Sequence, residues 1–330
     1  MSARSTFDTG RTGLDRFADG FIRREEIQRR VRETTLLRGR PLADDVLDDV
    51  QTDLGTLRAH GVRPTLGTVL MSDDDAAVSF MDRKHERCDA VGVRTKRADL
   101  SPDDSAAALY DAVERLATDD EVNALFVQVP LPDHVDAGAV RARVPPAKDI
   151  DCFAPATLGR LVAGDPLVVP PTPAAVLKLL SAYDVETAGR DVVVVGRTTA
   201  ICKPLANLLL ARGPDGDATV TVCHTATRDL AAKTRTADVL VTAAGTPQLV
   251  DASMVSPGVS VVDVSVNRVP ADTERGYELV GDVDYERVES VAGAITPVPG
   301  GVGPLTLAFV LRNVVDVTAR QTGVDVVDGP

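Results

Sequence analysis

The sequence predicts an α/β protein of two domains flanking a cleft, and three observations carry that prediction. Apolar runs of strand length alternate with runs of helical period from Thr65 to Val264, the order that builds parallel sheets with helical crossovers. The most apolar strand, Asp191–Val195 (DVVVV), runs into Gly196 and then a helix through Leu210, as in doubly wound sheets. Between the halves, Pro170, Pro171 and Pro173 punctuate the chain.

The elements follow in order. Met1 to Thr35 is an arginine- and glutamate-rich lead-in, with a candidate helix at Glu25–Glu33. Arg38, Gly39, Arg40 and Pro41 break the chain, and Leu42–His60 carries Leu47, Val50, Leu54 and Leu57 at helical spacing. Thr65–Met71 reads as a strand, Ala76–Val91 and Ala106–Thr118 as helices, Ala124–Val129 as a strand and Ala137–Val144 as a helix. In the second half come a helix at Ala174–Tyr183 and strands at Asp191–Val195, Thr219–Cys223, Val239–Thr242 and Val259–Val264. The tail, Pro304–Arg320, is helical, with Pro304 suited to a first turn.

A chain of 330 residues with 44% hydrophobic content has enough material for two modest cores. Its net charge of -13 argues against nucleic acid, which needs clustered Lys and Arg. Arginine is common, lysine scarce, and aspartate dominates the acids; a salt-adapted surface and drift in a GC-rich genome both produce that bias. No apolar run reaches the roughly eighteen residues that span a bilayer, and Met1–Asp19 has no apolar leader core, so no membrane partner is expected. Cys88, Cys152, Cys202 and Cys223 are scattered without metal-ligand spacing, which reads as reduced thiols in a cytoplasmic protein with no metal.

Three polar features stand out along the chain. On the Ala76–Val91 helix, Ala77, Met81, Cys88 and Val91 share one stripe, and Lys84 falls in its middle with Phe80 one turn before. A lysine there either snorkels its ammonium to water or is buried and loses basicity, which makes it a usable proton carrier. Gln128 interrupts an apolar strand next to Pro130-Leu131-Pro132, at the carboxyl end where parallel sheets place ligands; a satisfied amide at an edge reads the same way. Lys148, Asp149 and Asp151 follow Pro145 and Pro146 and read, taken alone, as a charged loop.

Taken together, FMDRK (Phe80–Lys84), VQVPLP (Val127–Pro132), KDIDCF (Lys148–Phe153), VVGRTTAICKP (Val194–Pro204), GDVDYE (Gly281–Glu286) and TPVPGGVGPLT (Thr296–Thr306) resemble the bifunctional methylenetetrahydrofolate dehydrogenase/cyclohydrolase (FolD) family. They stand in the family's order from about Leu37 to the tail helix, and the last is the most specific. The resemblance implies oxidation of 5,10-methylenetetrahydrofolate with NADP, then hydrolysis of the methenyl product to 10-formyltetrahydrofolate. It implies one Rossmann-type NADP-binding parallel sheet, a smaller α/β/α catalytic domain and a homodimer. By position, Lys84 is the catalytic lysine, Gln128 its hydrogen-bond partner and Asp151 the acceptor for the pterin ring. Phe80, Gly300, Gly301 and Pro304 would line the folate, the glycines by admitting close backbone approach. The domains would be residues 37–171 with 295–323 for catalysis and 172–294 for the nucleotide, after an N-terminal extension of residues 1–36.

On the cofactor side the G-x-G-x-x-G fingerprint is absent, but a helix starting near Pro204 offers its N-terminus to a phosphate. Arg197 follows Gly196, and the next strand ends in His224 and Thr225 rather than an acid, which favours NADP over NAD; a solvated loop arginine is the plainer reading of Arg197. The resemblance extends this set to Thr198, Ile201, Ala244, Gly245 and Asn267. Several positions depart from the family. Phe80 replaces a tyrosine, Cys152 the glycine after the KDxD aspartate, and Cys202 the second glycine of the nucleotide turn, where it is expected to crowd the pyrophosphate or force a different turn. Pro171, Ala175 and Ser265 replace a cysteine and two glycines. Lys84, Gln128 and Asp151 are spared, so hydrolysis is expected to survive, while the dehydrogenase step turns on Cys202 and Ser265. The alternatives are a paralogue keeping only the cyclohydrolase, a folate- or NADP-binding regulator without turnover, and an unrelated NADP oxidoreductase sharing the Rossmann half; VQVPLP followed by KDID speaks against the last.

Overall fold

The apolar runs of the sequence form two separate parallel sheets in the structure, a computed structural model that describes residues 34–326. The helix expected at Glu25–Glu33 lies outside the described residues. The first half runs β1 (Thr35–Leu36), α1 (Gly39–Ala59), β2 (Thr65–Met71), α2 (Asp75–Val91), β3 (Arg94–Leu100), α3 (Ala106–Thr118), β4 (Ala124–Val127) and α4 (Ala137–Arg141). After α5 (Pro155–Val162) and α6 (Pro171–Ala182) come β5 (Asp191–Val195), α7 (Cys202–Leu210), β6 (Thr219–Cys223), α8 (Leu230–Thr234), β7 (Val239–Thr242) and β8 (Ser260–Asp263). The chain ends with β9 (Asn267–Pro270), β10 (Tyr277–Val280), α9 (Tyr285–Glu289), β11 (Ala294–Ile295) and α10 (Val302–Thr322).

The smaller sheet has the order β3-β2-β4, and the larger β6-β5-β7-β8-β11-β1, every pairing parallel. In each, the first strand sends its successor to one side and the next strand to the other. That reversal opens a crevice at the carboxyl ends of β2 and β4 and of β5 and β7, where open α/β sheets bind ligands. All seven residues of β2 are buried, which made it legible in sequence. The pattern missed β3 because an edge strand carrying Arg94, Lys96, Arg97 and Asp99 buries only Ala98.

Two boundaries differ from expectation. Gly39 to Pro41 do not break the chain but start α1, because a helix's first turn has no intrahelical use for the N–H that proline lacks. Thr35 and Leu36, counted with the N-terminal extension, pair with Ala294 and Ile295 as the last strand of the large sheet. The helices α1, α6 and α10 pack together. α10 is long and apolar enough to cross a membrane by length and composition, but 72% of that apolar window is buried in the protein. Its polar residues are spent internally: Arg312 pairs with Asp53 of α1 and with Asp316. Asn313 Nδ2 donates to the Ile150 and Val169 carbonyls, both at 2.8 Å.

Candidate active site

Asp74 caps α2 by accepting from the Ala77 amide at 2.9 Å, and the apolar stripe of that helix buries Met81, Lys84 and Cys88. Lys84 is 1% exposed, so it does not snorkel. Its Nζ has no hydrogen-bond partner and lies over two rings, 2.8 Å from the centroid of Phe126 and 4.9 Å from that of Phe80. Burial pulls its pKa down to about 7, against the opposing pull of Asp151. Burial likewise pushes the Asp151 carboxyl up to about 7, with Lys84 opposing. The two groups titrate as one unit near neutrality.

Asp151 owes its place to Asp149, which sequence reasoning left unassigned. The buried Asp149 carboxylate accepts from the amides of Asp151 (3.1 Å), Phe153 (3.1 Å) and Ala154 (2.8 Å) and from the Thr157 hydroxyl. That loop also bridges to β4 through Leu125 N to Lys148 O at 2.7 Å. Cys152 has φ 50, a left-handed conformation that costs a side chain but not glycine. Gln128 sits just past the end of β4, but not as expected. Its Nε2 donates to the Val129 carbonyl at 2.7 Å, and its buried Oε1, like Lys84 Nζ, has no partner. Lys84 and Gln128 therefore form no hydrogen bond with each other. Gly300 has φ 115 and leaves its Cβ side open, with only Pro297 Cγ at 3.7 Å. Gly301 instead packs against its own turn and α1: a Cβ there meets Thr296 Cβ at 2.7 Å, and Gly39 N donates to the Gly300 carbonyl at 3.0 Å. Pro304 is the third residue of α10.

At the larger sheet, Gly196 ends β5 with φ 137, and a Cβ there strikes the Ala243 carbonyl of the neighbouring strand and Cys202 Sγ at 2.6 Å. This corrects the expectation for Cys202. It is fully buried, and its thiol points beneath the turn toward Ala243 O (3.7 Å), not into the crevice. Thr198 caps α7, accepting from Cys202 N through Oγ1 (3.3 Å) and from Lys203 N through its carbonyl (3.0 Å). Two amides expected to be open to a phosphate are therefore satisfied internally. Ile201 is half-buried at the N-terminus of α7. Arg197 is exposed and reaches across to the end of β6, donating to Thr225 Oγ1 at 3.2 Å, while the His224 ring turns back to accept from Ala226 N at 3.2 Å. A glycine turn at the switch point, an exposed guanidinium and no carboxylate at the end of β6 fit a dinucleotide with a 2′-phosphate.

Beyond β7 the exposed turn Ala244–Thr246 folds over a second unassigned carboxylate, Asp282, which is fully buried. Asp263 lies beside it; burial, chiefly, pushes that carboxyl up to about 6. A cavity of about 510 Å³ lies elsewhere, between Leu167, Val169 and the α10 residues Phe309, Asn313 and Arg320, and none of the candidate catalytic or cofactor residues lines it.

Comparison with known proteins agrees with this geometry. The model of the tetrahydrofolate dehydrogenase/cyclohydrolase catalytic domain matches residues 37–151, and that of its NAD(P)-binding domain matches residues 170–322. The bifunctional protein FolD of Natronomonas pharaonis is 50% identical over 293 residues, covering 89% of this chain and 99% of its own length. Bifunctional protein FolD 1 of Haloarcula marismortui is 48% identical over the same coverage. The solved Trypanosoma brucei methylenetetrahydrofolate dehydrogenase-cyclohydrolase, complexed with NADP and an inhibitor, is 34% identical with a TM-score of 0.82, covering 88% of this chain and 99% of that one. The two sheets, the buried lysine and these matches over nearly the whole described chain have one explanation: the chain belongs to the tetrahydrofolate dehydrogenase/cyclohydrolase family.

Proposed function

We propose that Lys84, Gln128 and Asp151 form one site serving both reactions of this bifunctional enzyme, the NADP-dependent oxidation of 5,10-methylenetetrahydrofolate and the hydrolysis of the methenyl product to 10-formyltetrahydrofolate. The observation that carries it is a lysine buried without a partner and brought down to about pH 7. A neutral amine at physiological pH takes a proton from water as it adds to the methenyl carbon. The resulting ammonium returns that proton to N5 as the C–N5 bond breaks, and the adduct's hydroxyl proton leaves to solvent to give the formyl carbonyl. Asp151, as carboxylate, accepts from the pterin's donor edge, and Phe80 stacks on the ring without the phenol its relatives add. The unpartnered Oε1 of Gln128 is free to accept from the ammonium form of Lys84 once substrate displaces its neighbours. NADP, when bound, accepts the hydride of the oxidation; Arg197 and Thr225 would hold its 2′-phosphate, with Gly196 admitting the backbone to the diphosphate. The catalytic residues belong to a domain of about residues 37–171 with 295–323, and the cofactor residues to 172–294. A cytoplasmic homodimer without nucleic-acid or membrane partners fits the net charge of -13 and the four reduced, buried cysteines.

The test is a two-part absorbance assay at high salt, following NADPH formation from methylenetetrahydrofolate and decay of added methenyltetrahydrofolate. Hydrolysis needs the neutral amine, so its kcat should rise about tenfold per pH unit below 7 and level off above. A rate flat from pH 5.5 to 8 would remove Lys84 from the proton transfer. Arg197→Ala should raise KM for NADP at least about tenfold while leaving KM for NAD within about twofold, since a lost charged hydrogen bond is worth about 1.5–3 kcal/mol. Equal effects on both cofactors would take Arg197 off the 2′-phosphate.

A further inference from the structure

Resting on the NADP reading, we propose that Asp282 is the positioning residue of the cofactor crevice, fixing the Ala244–Thr246 turn through its backbone. Its Oδ2 accepts from Ala244 N (2.6 Å), Gly245 N (3.2 Å) and Ser265 Oγ (2.7 Å). Its Oδ1 accepts from Thr246 N (2.8 Å) and Asn267 Nδ2 (3.1 Å). Three successive amides converging on one anion form a nest, the arrangement that elsewhere captures a phosphate. Here the anion belongs to the protein. The turn is exposed, so without Asp282 its amides would bond mostly to water and its shape would be held far more loosely.

The position matters because the turn leaves the carboxyl end of β7, beside the Gly196 turn at the end of β5, at the reversal of strand order. With its amides committed to Asp282, the turn has carbonyl oxygens left for a ligand. It therefore suits an amide or amino donor edge of the dinucleotide and not its phosphates. Asp282 also joins the end of β8, through Ser265, and the start of β9, through Asn267, to the same point. Asn267, expected to touch the cofactor, is also a partner of the positioning carboxylate. Ser265, standing where a glycine is usual, adds a hydroxyl that both donates to Asp282 and accepts from Gly245 N at 3.2 Å. It braces the turn.

The experiment uses the full-length protein and three readouts: NADP affinity by calorimetric titration, methenyl hydrolysis, and the thermal melt. Asp282→Asn presents an NH2 to a site built of donors. It should weaken NADP binding at least about tenfold and keep hydrolysis within about twofold, since a lost charged acceptor costs about 1.5–3 kcal/mol. Ser265→Ala, which removes one donor of five, should weaken NADP about threefold with hydrolysis unchanged. A folded Asp282→Asn protein that binds NADP as tightly as wild type overturns the inference, as does one losing hydrolysis in proportion to NADP affinity. If Asp282→Asn does not fold, Ser265→Ala decides: wild-type affinity overturns, weakened affinity with intact hydrolysis supports. Wild-type protein that binds no NADP overturns the cofactor reading itself, an outcome separate from any difference between variants.

Discussion

Replacing Lys84 with methionine should abolish methenyltetrahydrofolate hydrolysis, by at least about a thousandfold, and at the same time make the protein harder to melt. The first effect follows from losing the amine that takes the proton from water, a group whose pKa lies near the working pH. The second follows from where that pKa comes from. Burial depresses Lys84 from 10.5 to about 7, so the folded state binds its proton less tightly than the unfolded chain does. The penalty is full below about pH 7, shrinks as pH rises toward 10.5, and vanishes above it. Methionine fills the same stripe between Met81 and Cys88 without that penalty. Replacing buried charge by apolar volume commonly stabilises by about 1–4 kcal/mol, so the melting temperature should rise by a few degrees at pH 6 and by less at pH 9. Asp151 loses its nearby cation in this variant and becomes easier to protonate, which keeps the site neutral near pH 7. Lys84→Arg is the control: it cannot surrender its proton, so it loses hydrolysis and gains no stability. A methionine variant that melts lower than wild type at pH 6 would mean that Lys84 is a structural cation.

The same contrast shows what the sequence could and could not reveal. β2, α3, β5, β6 and β7 match their expected spans because each is set by local apolar patterning. β3 escaped because an edge strand needs only one buried side chain. The hairpin of β9 and β10, with α8 and α9, is too short and polar to leave a period. β1 and β11 have two residues each and exist only because the chain returns beside β8. Lys84 was legible as a polar residue on an apolar stripe, but its burial depended on Phe126 of β4 closing over it. Asp149 and Asp282 were overlooked for one physical reason. Each stabilises backbone amides that are unpaired only because of how their loops fold, and a sequence does not display unpaired amides. The clue available was an aspartate beside buried apolar residues, Ile150 in one case and Val283 in the other. Cys202 differs for the converse reason. Its place on α7 is set by the sequence, while its thiol fills the space where a Gly196 side chain would stand.

That filled space makes Gly196→Ala the sharpest test of the cofactor crevice. At φ 137 an alanine is in a backbone region that is nearly closed to side chains, at a cost of about 1–3 kcal/mol. Its methyl also meets two obstacles, the Ala243 carbonyl and Cys202 Sγ at 2.6 Å. NADPH formation should fall at least about a hundredfold, because the turn must move away from β7 and take Arg197 with it. Hydrolysis should persist, because Lys84 and its neighbours belong to the other sheet. The two obstacles can be separated. Cys202→Gly alone should keep dehydrogenase activity within about threefold, since the thiol points away from the crevice; its main cost is the small cavity left beneath the turn. The double variant should then be no better than Gly196→Ala, because removing the sulfur leaves both the strained φ and a backbone carbonyl that β7 cannot withdraw without breaking its pairing with β5. Recovery in the double variant would mean that the sulfur was the real obstacle and that the strands tolerate movement here. In that case the cysteine, and not the junction of β5 with β7, limits what this crevice can hold.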